Sequence, residues 1–88
     1  MKLFRHKKFI NDLKKVNLSD SQFEKMIKYF NLFLEDKELP IEARDHFLNG
    51  EWQEFREFHL GGDTLVIYHK KKDKITLARI GTHNQLFK

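Results

Sequence analysis

The spacing of apolar residues changes at Pro40, the chain's only proline, and that change narrows the architectures open to it. Before Pro40, apolar side chains recur every three or four residues; after it, they gather in short runs rich in β-branched and aromatic types. Phe9, Ile10, Leu13 and Val16 predict a short amphipathic helix starting at Lys7. Asn17-Leu18 interrupts it, and Ser19 followed by Gln22 forms a capping-box pattern at the start of a second helix. Phe23, Met26, Ile27, Phe30, Phe33 and Leu34 line one face of that helix, a stripe that reads as core packing. The helix must stop before Pro40, because the residue ahead of a proline is pushed out of helical geometry. Two helices with a short polar turn make a helix hairpin.

Residues 2–6 alternate loosely and predict a first strand. Beyond Pro40, residues 41–50 read as loop or one helical turn, and residues 52–60, with Phe55 and Phe58 among charges, as a strand. Gly61-Gly62 suits a turn between antiparallel strands. Residues 64–68 form the clearest strand, β-branched and aromatic throughout. Residues 70–74 make a charged turn, 75–80 pair back, Gly81 breaks the ladder, and 82–88 form a short tail. The order β-α-α-β-β-β predicts an α+β fold. Its helix hairpin packs on one face of a small, mainly antiparallel four-stranded sheet. At 88 residues the chain has room for one domain, spanning 1–88.

Charge is distributed unevenly. Residues 1–15 carry six cations against Asp12, residues 16–63 five cations against eleven acids, and residues 64–88 six cations against Asp73. If the two basic ends meet, they form a surface suited to a polyanion, because phosphate contacts supply much of nucleic-acid affinity. Arg56 and the run Lys70, Lys71 and Lys72 are then expected to contact an RNA backbone. The competing reading is a solvated tail and turn. The chain has no cysteine, which excludes disulfides, thiolate metal sites and a cysteine nucleophile, and fits a reducing compartment. The N-terminus lacks the apolar stretch of a signal peptide, and no segment approaches a membrane span of about 20 apolar residues. A soluble chain that meets no membrane is expected.

His46, His59, His69 and His83 fall in the second half, with Asp45, Asp63, Arg56 and Arg79 among them. Their spacing matches no zinc motif, and the chain holds no P-loop, dinucleotide fingerprint or serine nucleophile elbow. No metal or cofactor is expected. Cleaving RNA needs neither, because the ribose 2′-OH can attack the adjacent phosphate. The protein must supply a base for that hydroxyl, an acid for the leaving 5′-oxygen and cations for the phosphorane. Histidine titrates near working pH and can fill either proton-transfer role. The same residues would equally suit surface histidines on an RNA- or protein-binding sheet. Strand parity adds a constraint: Arg56 and His59 differ by an odd number, so they share a face only if the strand bends or ends between them.

The second half also carries an ordered pattern. Asp45-His46 is followed by Leu48, Gly50 and Trp52, then by Arg56-Glu57, His59 and Asp63. Ile67-Tyr68 ends a strand, and Arg79, Gly81-Thr82-His83 and Leu86-Phe87 close the chain. This pattern resembles the YafQ-type toxins of the RelE superfamily over residues 45–87. The first half agrees only in its helix-hairpin pattern. The resemblance implies a RelE-like fold and a bacterial, cytoplasmic endoribonuclease that cuts mRNA in the ribosomal A site. A DinJ-type antitoxin would neutralise it, and the toxin–antitoxin complex would bind operator DNA. It further implies His83 as general acid, and His46, His59 and Asp63 as groups that position the nucleotide and share the base role. Arg79 would stabilise the phosphorane and Phe87 would stack on a base. Trp52 and Tyr68 are expected to pack, and His69 to be a surface residue. Phe47 and Gly61-Gly62 depart from the family, where proline is common at the first position and frequent ahead of the aspartate. Both departures bear on loop stiffness rather than on reacting groups. The alternative is a non-catalytic module of the RelE/ParE fold that binds RNA or the ribosome, or that inhibits DNA gyrase.

Overall fold

Residues 1–87 are described by the structure, a computed structural model; Lys88, the last residue of the expected tail and one of the six cations counted over residues 64–88, lies outside them. The chain runs β1 (Lys2–Arg5), α1 (Lys7–Lys15) and α2 (Asp20–Leu34). It continues through a 3-10 turn at Ile41–Ala43, β2 (His46–Phe47) and a second 3-10 turn at Gly50–Trp52. Last come β3 (Arg56–Gly61), β4 (Thr64–Lys71), β5 (Lys74–Thr82) and α3 (His83–Leu86). The helix hairpin lies where the sequence places it, and β4 and β5 cover their expected segments. The Ser19 capping box is made in full, with the Gln22 and Ser19 side chains each accepting the other's backbone N–H, at 3.0 and 3.1 Å respectively.

The sheet departs from expectation in size and polarity. Its order is β1-β5-β4-β3-β2, five strands rather than four, and β1 runs parallel to β5 while the other pairs are antiparallel. The extra strand, β2, is two residues long and pairs His46 with Glu57 and Phe47 with Arg56. The third strand starts at Arg56 rather than Trp52, because Trp52 closes a 3-10 turn instead. Gly81 does not break the ladder: it pairs with Leu65, and Thr82 with Thr64. A Cβ on Gly81 would stand 2.9 Å from Gln85 Oε1, so the close approach of the next turn explains the glycine. The expected tail is a helical turn, capped by Thr82 and Gln85 in a second capping box.

Both faces of the sheet are covered. On one, α1 and α2 bury Phe9, Met26, Tyr29 and Phe33 against Phe58, Val66, Tyr68 and Leu77. Phe58 takes ring contacts from Tyr29, Phe33 and Tyr68 at centroid distances of 5.6 to 5.8 Å. The buried stripe of α2 is narrower than its apolar stripe, since Phe23, Ile27 and Leu34 remain about half exposed. On the other face a second cluster of Leu65, Ile67 and Leu86 is joined by Trp52, Phe55, Ala78 and Phe87. That double coverage is why β4 reads as an unbroken apolar run rather than an alternation. A bulge lies opposite Ile67 and Tyr68, which face Arg79 and Leu77, and it lets Leu77 and Ile80 both reach the helix side.

The two basic ends do meet. Lys2 and Lys74 are register partners on β1 and β5. Past Leu77 the edge of β5 has no neighbouring strand, and Asp12 of α1 covers it by accepting the Ile80 N–H at 3.1 Å.

Candidate active site

Strand parity sorts the polar residues of β3. Arg56, Phe58 and Leu60 face the helices, whereas Glu57 and His59 face the opposite side. His46 stands across from Glu57 on β2 and joins them. The Glu57 side chain is nearly buried, and its Oε2 lies 3.0 Å from His46 Nε2 and 2.9 Å from His59 Nε2. The two imidazoles stack with centroids 6.2 Å apart.

Hydrogen-bond roles separate the two rings. His46 Nδ1 lies 2.9 Å from the Phe47 carbonyl, so each of its nitrogens faces an oxygen acceptor. His59 Nδ1 lies 3.2 Å from an Arg44 guanidinium nitrogen, which can only donate. His59 therefore accepts at Nδ1 and carries its proton at Nε2, toward Glu57. Arg44 reaches it from a left-handed position, φ 49°, at the end of the Ile41–Ala43 turn.

The second part of the site is built by α3. Leu86 packs on Leu65 and Ile67, which puts α3 on the face that His59 shares with its register partner Leu65. The His83 N–H donates to the Asp63 carbonyl at 3.1 Å, tying the helix start to the β3–β4 turn. His83 and Asp63 are both exposed, and the His83 ring lies 4.8 Å from Phe87, one helical turn on. Phe87 in turn meets Trp52 edge-on at 6.0 Å. His59, Leu65 and Gly81 are in register across β3, β4 and β5, so the two parts are about 10 Å apart, two strand spacings. That gap suits a nucleotide held between them.

Other residues singled out in the sequence lie elsewhere. Arg56 points to the helix side, where its Nε donates to Asp45 Oδ1 and to the Tyr68 hydroxyl, both at 3.1 Å. Its guanidinium also covers the Phe47 ring at 4.4 Å. Burial alone would lower its pKa, but the bonds to Asp45 and Tyr68 outweigh that and raise it. Tyr68 donates to Asp45 at 2.6 Å, and burial followed by that contact pushes its hydroxyl well above the usual tyrosine value. Lys70, Lys71 and Lys72 sit at the β4–β5 turn, the far end of an eight-residue strand from Thr64 and Asp63, or about 20 Å away. Arg79 lies in register with Ile67, but its Nε and one Nη donate to Asp12 at 2.6 and 3.1 Å, an attachment that raises its pKa. It turns toward the β5 edge rather than toward the histidines. His69 is half-buried against Phe55, with centroids 5.6 Å apart, rather than a bare surface residue.

Two participants escaped the sequence reading. Glu57 could have been found from its i, i+2 spacing to His59, which guarantees a common strand face. Arg44 could not, because its position depends on an irregular turn. The sequence spacing also hides a possible ligand set: potential donor atoms of His46, Glu57 and His59 all lie within 4.8 Å of one another. Two imidazoles and a carboxylate suit zinc or copper, provided that the imidazoles present lone pairs rather than N–H groups.

Comparison with known proteins adds lineage to geometry. Residues 1–88 match the family described as "Bacterial toxin of type II toxin-antitoxin system, YafQ". The mRNA interferase toxin YafQ of Escherichia coli K12 is 33% identical over 78 residues, covering 84% of this chain and 85% of that protein. A copper-bound mutant toxin from Helicobacter pylori is 32% identical, with a TM-score of 0.81 and 98% of each chain covered. The E. coli DinJ–YafQ complex contains a chain 25% identical to this one, with a TM-score of 0.84, covering 99% of this chain and 98% of that one.

Proposed function

The chain belongs to the YafQ family of bacterial type II toxin–antitoxin toxins, and from that premise we propose that it is an endoribonuclease that cuts mRNA in the ribosomal A site. The observation that carries the reading is the pairing, on one face, of the His46–Glu57–His59 cluster with the Asp63–His83–Phe87 end of the sheet. Chain 1–88 acts as one toxin domain. By analogy with the E. coli complex, its neutralising partner is a DinJ-type antitoxin, and the pair would bind operator DNA. Its place of action is the bacterial cytoplasm.

The reaction needs one proton removed and one delivered. His59, its Nε2–H oriented by buried Glu57, takes the 2′-OH proton at Nδ1 once Arg44 swings from that nitrogen onto a phosphate. Glu57 then stabilises the resulting imidazolium, as an orienting carboxylate does in a catalytic triad. The 2′-oxygen forms its bond to phosphorus, and the 5′-oxygen leaves with a proton from exposed His83. The products are a 2′,3′-cyclic phosphate and a free 5′-hydroxyl. His46 and Asp63 hold the nucleotide, Arg44 offsets phosphorane charge, and Phe87 supports a base. The test is A-site mRNA cleavage on translating ribosomes by wild type and single histidine variants, in the presence of a chelator. Chelator-resistant cleavage that fails in His83→Ala and His59→Ala supports the reading.

A second reading is favoured by the donor cluster and by the copper-bound H. pylori relative. His46, Glu57 and His59 would hold a divalent cation. A cation held at the Nε2 atoms beside Glu57 would displace the Nε2–H that Glu57 orients and make Nδ1 of His59 a weaker base. Added copper or zinc should therefore inhibit cleavage, and Glu57→Gln should weaken both the binding and the inhibition.

A further inference from the structure

An unbroken row of rings leads away from His83 across the sheet. Centroids step 4.8 Å from His83 to Phe87, 6.0 Å to Trp52, 5.4 Å to Phe55 and 5.6 Å to His69. Beyond Trp52 the row forms one wall of a groove of about 430 Å³, separate from the histidine cluster. Thr76 and Ala78 of β5 form its floor. Lys8, His6 and Arg79 stand at its rim against a single acid, Glu54.

The groove joins half-buried aromatic faces with an excess of positive charge, the two components of single-stranded nucleic-acid binding. Its cations come from both basic ends of the chain: Lys8 lies in the first turn of α1, and Arg79 lies on β5. Asp12 accepts from two nitrogens along one edge of the Arg79 guanidinium, Nε and one Nη, without using the whole of it, which leaves a pre-set donor at the rim. His6 accepts the Lys8 N–H at Nδ1, so its Nε2 remains available there.

We propose that this groove is a second nucleotide subsite for the substrate strand. It seats a base on Trp52 and Phe55, and binds the adjoining phosphate between Lys8 and Arg79. The inference rests on the ribonuclease reading and extends it: Arg79 serves a phosphate next along the strand rather than the one being cleaved. The aromatic row sets the path of that strand, from His83 past Phe87 into the groove.

Trp52 is the only tryptophan, so its emission reports directly on occupancy. The probe is a hexaribonucleotide methylated at every 2′-oxygen, which cannot be cleaved, compared with the corresponding dinucleotide. For wild type, the hexamer should quench Trp52 saturably and bind about tenfold or more tighter than the dinucleotide, the value of roughly one stacked base with its phosphate. Thr76→Glu, which fills and recharges the floor, and Lys8→Glu, an exposed position where folding is not at risk, should each remove that gain. Lys28→Glu on α2 should retain it. A length-dependent gain that survives both groove variants, or a hexamer that leaves Trp52 unquenched, overturns the subsite. A gain confined to the groove in a protein whose ribosomal cleavage ignores His83→Ala sustains the subsite while rejecting the catalytic reading.

Discussion

A carboxylate oxygen of Glu57 lies 2.9 Å from Nε2 of His59, on the same face of β3. This contact leaves Nδ1 as the one acceptor nitrogen of the His59 ring. Glu57→Gln preserves size but can present an amide N–H to His59 and no longer stabilises its imidazolium. Cleavage should fall about 100-fold in kcat, the scale of a misdirected general base, with KM little changed. Glu57→Asp should recover part of the loss. A packing role alone would instead lower the thermal midpoint and leave kcat of the folded enzyme intact.

Asp12 satisfies three donors at once: Arg79 Nε, one Arg79 Nη and the Ile80 N–H. Asp12→Ala leaves a strand-edge N–H and a partly buried guanidinium without partners, and should cost about 2–3 kcal/mol in urea unfolding. Arg79→Ala should cost less, because Asp12 would still cover Ile80. Equal losses would show that the backbone contact contributes nothing.

The Tyr68 hydroxyl has a folded-state pKa above the ordinary 10.0, because burial and Asp45 both disfavour the phenolate. A raised value means that stability from this group is present in full below about pH 10 and is lost as pH climbs through the folded value. Tyr68→Phe should be about 1 kcal/mol less stable at neutral pH, through the lost bond to Asp45. Urea unfolding carried to about pH 11 should show wild type losing stability more steeply than the variant. Parallel curves would contradict this assignment.

Gly81→Ala introduces a methyl group 2.9 Å from Gln85 Oε1 and 3.3 Å from a Leu86 methyl. Gln85 is half of the box that starts α3, so the displacement should fall on His83 and Phe87. Cleavage should drop at least tenfold, with about 1–3 kcal/mol lost from overpacking. A variant that cleaves normally would show that the position of α3 is not critical.

The parts of this fold that were legible in the sequence are those set by local chemistry. Ser19 and Gln22 announced the second helix, and the β-branched run before Tyr68 announced the central strand. The same run also implies that both faces of its strand are covered, here by α2 and by the Trp52–Phe87 cluster, because it is apolar at every position. The parallel β1 and the two-residue β2 could not be read, because both depend on which edges of the sheet remain open. The site divides similarly. Parity separates Arg56 from His59 and joins His59 to Glu57, whereas Arg44 and the Asp12–Arg79 pair depend on turns and long-range packing. The histidines at 46, 59 and 83 share one face because β2 and α3 return to it, something that residue spacing alone does not specify.

The central claim is tested most directly by following A-site mRNA cleavage on translating ribosomes with wild type and His83→Ala, alongside circular dichroism to show that both are folded. His83 is exposed, so the variant should fold normally. Loss of an acid at the 5′-oxygen should slow cleavage about 10²–10⁴-fold. Cleavage by folded His83→Ala at the wild-type rate, or no cleavage by wild type itself, would contradict the account.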